Sequence, residues 1–204
     1  MSAIAEASNS VFGTDIDLVF DRLVQIEGKA EIVDGKIVVT PLKGAWPDHT
    51  AGEIYASLRD WTHRTKRGQA IGGSAIFRVH LPNRDSFCPD AAYHVGPSGK
   101  MKPYEGSPLF AVEIRTLGDY GPRSDRFVTD RRTDYFAAGA LVVWDVDLLS
   151  NDVVQVYRAT APETPTIYRP GDIAEAEPAV PGWTVAVNEL LPDDWEPSRS
   201  QASN

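Results

Sequence analysis

Hydrophobic and polar positions alternate along several short stretches of the chain, and this alternation predicts strands. Residues 75–81 alternate between apolar and polar side chains, as in a half-exposed strand. Residues 30–40 form two β-rich arms around an Asp-Gly dipeptide, which favours the positive φ angles of a tight hairpin turn. Residues 87–95 and 109–115 are short and mostly apolar, as in buried strands.

A second period in the pattern, close to 3.6 residues, predicts three helices. The first covers about residues 16–25, with Thr14 as its cap. The second covers about residues 49–67 and follows Asp48, which we expect to be its N-cap. The third is polar and covers about residues 125–138. The chain therefore mixes strands and helices along its length.

The length of the chain favours one domain with loose ends. Residues 1–13 show no periodic pattern and are expected to be a flexible lead. Residues 196–204 are expected to be a disordered tail, which leaves residues 14–195 as the single domain. No internal repeat is visible.

Composition indicates an ordinary soluble protein, with 42% hydrophobic and 24% charged residues. No apolar run approaches the roughly 18–20 residues of a membrane span, and the N-terminus lacks a signal-peptide pattern, so we expect a cytoplasmic protein with no membrane partner. Cys88 is the only cysteine. A buried small hydrophobic residue is favoured over a nucleophile there, and a lone thiol is typical of a reducing compartment.

The net charge of −9 is unevenly distributed. Residues 59–84 hold six basic residues and one acid, whereas residues 160–204 hold eight acids and two basic residues. The basic segment could attract phosphate in spite of the acidic total. A solvated helix face explains the same residues equally well, and both interpretations stay open.

Two carboxylates interrupt the apolar runs where a buried strand would not tolerate an unpaired charge. Asp90 lies in the first run and Glu113 in the second, and each would cost several kcal/mol if buried without a partner. A divalent metal between the two strands would compensate both, since hard cations prefer carboxylate oxygens. Arg115 is two residues after Glu113, so we expect both to face one cavity. Glu31 either points to solvent or joins this pair.

The order of these motifs resembles the bacterial Uma-type family of putative restriction endonucleases, a branch of the PD-(D/E)xK nuclease superfamily. The resemblance covers roughly residues 14–195 and rests on five segments: Glu31 to Gly35, Pro89-Asp90, Val112 to Arg115 with Asp119 to Gly121, Tyr135 to Gly139, and Val143 to Asp147. It implies an α/β fold with a restriction-endonuclease-like central mixed β-sheet, flanking helices and an N-terminal β-hairpin. It also implies Mg²⁺ or Mn²⁺ held by Asp90 and Glu113.

The sequence lacks the lysine of the family pattern. The pattern places Lys two residues after the Glu, or on the following helix four residues before the Tyr, and these positions hold Arg115 and Arg131. Arginine stays protonated and stabilises phosphate charge, but it cannot act as a general base. Deprotonation of water would then depend on the metal and on Glu31. Lys100 and Lys102 are distant alternatives.

The resemblance implies an enzyme that hydrolyses phosphodiester bonds of nucleic acid, and we expect the substrate to be DNA. The resemblance also implies a homodimer. Exposed strand edges and several Trp residues outside the helix faces also favour a homodimer. A second reading is a weakened nuclease fold that binds nucleic acid or protein without cleavage, which the Lys-to-Arg departures favour. A third is a structural or interaction protein without metal affinity.

Overall fold

The computed structural model describes residues 16–196, in which three α-helices and one short 3₁₀ helix occur. The helices are α1 (Ile16–Leu23), α2 (Ala45–Thr65), α3 (Pro122–Ala137) and the 3₁₀ helix η1 (Val187–Leu190). The lead expected at residues 1–13, the cap expected at Thr14 and the tail from residue 197 onward lie outside the described residues.

Thirteen strands in the described residues form three sheets. They are β1 (Lys29–Val33), β2 (Lys36–Thr40), β3 (Gln69–Gly72), β4 (Phe77–Leu81), β5 (Arg84–Phe87), β6 (Ala91–His94), β7 (Tyr104–Glu105), β8 (Phe110–Ile114), β9 (Val142–Val146), β10 (Val154–Arg158), β11 (Ala161–Tyr168), β12 (Ile173–Glu175) and β13 (Thr184–Ala186). The largest sheet has the order β11-β10-β9-β8-β6-β3, in which only the β8–β9 pair is parallel. The mixed α/β fold expected from the resemblance is therefore confirmed.

The N-terminal hairpin forms as the turn chemistry predicts. Asp34 and Gly35 adopt φ angles of 50° and 68°, and β1 pairs with β2 in antiparallel register. The hairpin is the outer part of a five-stranded sheet with the order β2-β1-β5-β4-β7. Strand β5 was not expected, because the sequence RDSF lacks the hydrophobic alternation that predicts a strand.

Both faces of the central strands β8 and β9 are buried, and a different helix covers each face of β8. Val112 lies in one buried cluster with Leu58 of α2. Ala111 lies in another with Tyr135 of α3. Burial of a large apolar side chain contributes about 1.5–3 kcal/mol, so the alternation holds the strand in this register. Glu113 consequently belongs to the face that α3 covers.

The observed boundary of α2 differs from the expected one. The helix begins at Ala45 with Gly44 as its N-cap, so Asp48 lies within the first turn and is not the cap. A proline is tolerated in a first helical turn, where its missing N–H has no intrahelical partner, so Pro47 does not delay the helix. The negative charge of Asp48 still interacts favourably with the positive, N-terminal end of the helix dipole. Within residues 16–196, no helix combines the length and the apolar content that a bilayer span requires.

Candidate active site

The pairing of β6 with β8 brings Asp90 and Glu113 to neighbouring positions. Asp90 directly precedes β6, and its backbone N–H donates to Val112 O over 2.9 Å. Its side chain continues the same ladder, because Ile114 N donates to Asp90 Oδ2 over 2.7 Å. Asp90 is 4% exposed. The two carboxylates singled out in the sequence are therefore brought to neighbouring positions of one sheet.

Two lysines from distant parts of the chain contact the Asp90 carboxylate. Lys29, the first residue of β1, donates to Oδ1, and Lys43, in the connection between β2 and α2, forms an ion pair with Oδ2. Burial disfavours ionisation of Asp90, but the two ammonium groups hold its pKa below the usual value. Burial lowers the pKa of Lys43, although the Asp90 carboxylate opposes this shift. Burial also acts to lower the pKa of Lys29, but the nearby Asp90 and Glu113 carboxylates outweigh it, and the pKa of Lys29 is raised.

Helix α3 supplies both partners of Glu113. Arg131 Nη1 lies 2.9 Å from Glu113 Oε2, and Tyr135 Oη donates to Oε1 over 2.7 Å. Arg131 and Tyr135 are four residues apart, so they share one face of the helix. Burial raises the pKa of Glu113, although Arg131 and Lys29 oppose this and Asp90 adds to it. Both oxygens of Glu113 are therefore held by side chains of α3.

Glu31 joins this group and does not point to solvent. It is 4% exposed, and its Oε1 accepts from Cys88 N over 2.6 Å and from Arg131 Nη2. Its Oε2 accepts from Arg84 Nη1 over 2.7 Å. The guanidinium of Arg131 therefore bridges Glu31 and Glu113.

The buried cluster as a whole is balanced in charge. Arg84 Nε also donates to Asp134 Oδ2 over 2.8 Å. The cluster then contains four acids and four basic residues: Glu31, Asp90, Glu113 and Asp134, with Lys29, Lys43, Arg84 and Arg131.

Arg115 is the one predicted site residue whose guanidinium is directed elsewhere. Its Nε and Nη2 donate to the two oxygens of Asp145 over 2.9 and 2.7 Å, and its Nη1 lies 3.2 Å from Asp125. Parallel pairing sets Asp145 beside Glu113. Arg115 therefore stays on the strand face of Glu113, where a bidentate carboxylate on the next strand engages its guanidinium. Its expected role at the site stays a prediction.

Lys29 and Lys43 were missed by the sequence reasoning, which looked for a lysine after Glu113. One signal for Lys29 was available: it lies two residues before Glu31 and so shares a strand face with it. Lys43 lies in a loop and carries no such signal. Lys100 and Lys102, the alternatives considered earlier, are both exposed.

The donor set fits a divalent cation in kind, because carboxylate oxygens are the preferred ligands of hard cations. Two ammonium groups already contact Asp90. A cation held by Asp90 and Glu113 would have to compete with these ammonium groups. Within residues 16–196, no group of three or more His, Cys, Asp or Glu side chains is arranged to hold a metal. The fit therefore rests on two protein carboxylates.

A solvent-open cavity of about 460 Å³ borders the cluster on the side of α2. Its lining includes Lys29, Lys43, Tyr55, Gly73 and Asp90. A larger cavity of about 700 Å³ lies against α2 and the C-terminal strand β13, and it contains none of the predicted site residues. Of these two cavities, the smaller one gives access to Asp90, whereas Glu113 and Glu31 do not line it.

The mixed sheet with buried strand carboxylates and basic partners places the molecule in the class of restriction-endonuclease-like folds. The family model Uma2, described as "Putative restriction endonuclease", matches residues 20–188, and the chain belongs to this family. Among solved structures, the chain is similar in fold to a putative nuclease belonging to DUF820 from Anabaena variabilis. That likeness has a TM-score of 0.65 and 15% identity, and it covers 84% of this chain and 96% of the other. The curated proteins contain no match.

Proposed function

We propose that this protein is a divalent-metal-dependent endonuclease that hydrolyses phosphodiester bonds of nucleic acid, with DNA as the expected substrate. The observation that carries the proposal is the position of Asp90 and Glu113 on adjoining strands, beside the ammonium groups of Lys29 and Lys43. Membership of a family described as putative restriction endonucleases supports it.

Asp90 and Glu113 are the residues that would hold Mg²⁺ or Mn²⁺, and the bound ion supplies an acidified water and positive charge for the phosphate. Arg131 and Tyr135 fix the Glu113 carboxylate through its two oxygens. Ile114 N fixes Asp90 through Oδ2. The chain therefore presents its two candidate ligands in a defined orientation.

Glu31 and Arg131 act in this proposal as positioning residues. Arg131 keeps Glu31 and Glu113 close in spite of their like charges. Glu31 also accepts from Cys88 N, two residues before Asp90, and so anchors the segment that enters β6. Removal of Arg131 would leave Glu113 without its ion pair, and removal of Glu31 would take one of two carboxylates from both Arg84 and Arg131.

A second function has one specific observation in its favour. Each carboxylate oxygen of Glu31, Asp90 and Glu113 receives a donor from the protein itself. A cluster already balanced in charge could serve a nuclease-fold protein that binds nucleic acid or protein without cleaving. This reading needs no metal.

Cleavage assays distinguish the two functions. Supercoiled plasmid and labelled single-stranded oligonucleotides are incubated with Mg²⁺ or Mn²⁺ and wild type, Glu113→Gln or, as a matched control, the exposed-site variant Glu163→Gln. We expect wild type and Glu163→Gln to cleave and Glu113→Gln to be inactive. Equal cleavage by Glu113→Gln would refute the metal role of Glu113. Binding without cleavage by the wild type on every substrate would establish the binding module instead.

We propose in addition that the protein is a homodimer formed through the outer strand β2. This strand is at the edge of its sheet and exposes Val38 and Val39 at 41% and 56%. Exposed apolar edge strands pair readily with other strands. Light scattering at tens of micromolar should give the mass of a dimer, and Val39→Lys should give a monomer. A monomeric wild type would contradict the proposal.

A further inference from the structure

We propose that Lys29 and Lys43 are the residues that contact the phosphate backbone and that the backbone enters through the cavity they line. This inference rests on the proposed function and assigns its substrate contacts to two residues of the N-terminal hairpin region. The sequence expectation gave the backbone contacts to the basic segment at residues 59–84 and the stabilisation of phosphate charge to Arg115 and Arg131.

The two arginines have no terminal nitrogen left for a phosphate. Arg131 directs Nη1 to Glu113 and Nη2 to Glu31. Arg115 directs its terminal nitrogens to Asp145 and Asp125. Exchange of the pairs with Glu113, Glu31 or Asp145 for a phosphate would leave a buried carboxylate with less compensation, at a cost of several kcal/mol.

The two lysines differ from the arginines because they line the cavity and keep unused donors there. Arg131 Nε is also buried without a hydrogen-bond partner, but Arg131 does not line the cavity. An ammonium group has three N–H donors, and Lys29 and Lys43 each contact a single oxygen of Asp90. Lys43 Nζ is buried and makes no hydrogen bond of normal geometry beyond its ion pair. Unmet buried donors require an acceptor, and phosphate oxygens are strong acceptors of charge-assisted hydrogen bonds.

The cavity gives a phosphodiester access to these donors. Its volume is about 460 Å³, and both lysines and Asp90 lie in its lining. Gly73, also in its lining, lies close to the Asp90 backbone, because an added Cβ would lie 2.8 Å from the Asp90 carbonyl oxygen. Asp48 also lines the cavity but is exposed, so solvent screens its charge from the phosphate.

Contacts of this kind would supply affinity and not sequence preference. Ammonium groups that meet phosphate oxygens carry no information about the bases. They also release condensed counterions, so each contact adds to the dependence of binding on salt. The salt dependence therefore reports directly on the proposed contacts.

The test measures binding in EDTA, where metal-dependent cleavage is absent, by fluorescence anisotropy of a short labelled DNA over a series of salt concentrations. The variants are Lys43→Met, Lys29→Met and Lys43→Arg. Lys36→Met is the control, since it removes the same charge from the opposite end of the same hairpin. We expect Lys43→Met and Lys29→Met to weaken binding about tenfold at low salt and to reduce the salt slope by about 1 each. Lys43→Arg and Lys36→Met should retain both values.

Thermal unfolding of each variant separates contact from structure. A purely structural role of Lys43 would lower the melting temperature and the fraction of binding-competent protein without changing the salt slope. An unchanged slope in both Met variants would overturn the inference, while the cleavage result with Glu113→Gln would stand. Absence of DNA binding by the wild type would also overturn it, and the nuclease proposal would then depend on the cleavage assay alone.

Discussion

Arg131 Nη1 lies 2.9 Å from Glu113 Oε2, and the same guanidinium reaches Glu31 through Nη2. Arg131 occupies the position where the family pattern has lysine. A lysine offers a single point charge, whereas the planar guanidinium can contact two carboxylates at once. The departure from the pattern thus brings the first hairpin strand, strand β8 and helix α3 together at one side chain.

Replacement of Arg131 by methionine should lower the free energy of unfolding by about 3–5 kcal/mol, because two buried carboxylates lose a partner. Chemical denaturation in urea measures this loss. Arg126→Met, at an exposed position of the same helix, is the matched control and should change stability little. A loss no larger than that of the control would show that the bridge does not stabilise the fold.

Arg115→Lys should lower the free energy of unfolding by about 1–2 kcal/mol, because one of two charge-assisted hydrogen bonds to Asp145 is lost. We expect no gain in cleavage from this variant, since Arg115 is engaged by Asp145 and not by the Asp90–Glu113 cluster. Denaturation and plasmid nicking are measured together, with the exposed-site variant Arg123→Lys as control. Increased nicking by Arg115→Lys would contradict the position assigned to its side chain.

His94 should make the fold less stable as the pH falls. Burial lowers its pKa below the usual 6.5, and a hydrogen bond to the backbone carbonyl of Pro97 opposes this shift. The unfolded chain then binds the proton more readily than the folded one, so the stabilisation is present above about pH 6.5 and is lost through the lower folded pKa. Between pH 7.5 and pH 5.5, the melting temperature of the wild type should fall more than that of His94→Gln. An equal fall would refute this contribution.

Cys88 should be inert in the folded protein. Burial raises the pKa of its thiol to about 12, so almost no thiolate is present at pH 8. Ellman's reagent should release no colour from the native protein and one equivalent after denaturation in guanidinium, which serves as the internal control. Rapid labelling of the native protein would contradict this and reopen the nucleophile reading.

The local features of the fold could be predicted because their causes are local. The Asp34-Gly35 turn depends on two residues that accept positive φ, and the buried faces of β8 depend on a period of two. Asp90 and Glu113 could be predicted as site residues because each is a charged residue within an apolar run. Each of these signals depends on the properties of neighbouring residues, which the sequence displays directly.

The partners of the carboxylates were decided by the tertiary structure alone. Lys29 is 61 residues from Asp90 in the chain, and Arg131 is 100 residues from Glu31. Arg115 is a further example. The strand face of Arg115 could be predicted from the sequence, but its ion pair with Asp145 depends on the pairing of β8 with β9. A strand pattern states which face a side chain occupies, whereas the packing of distant elements determines which opposite charge it meets there.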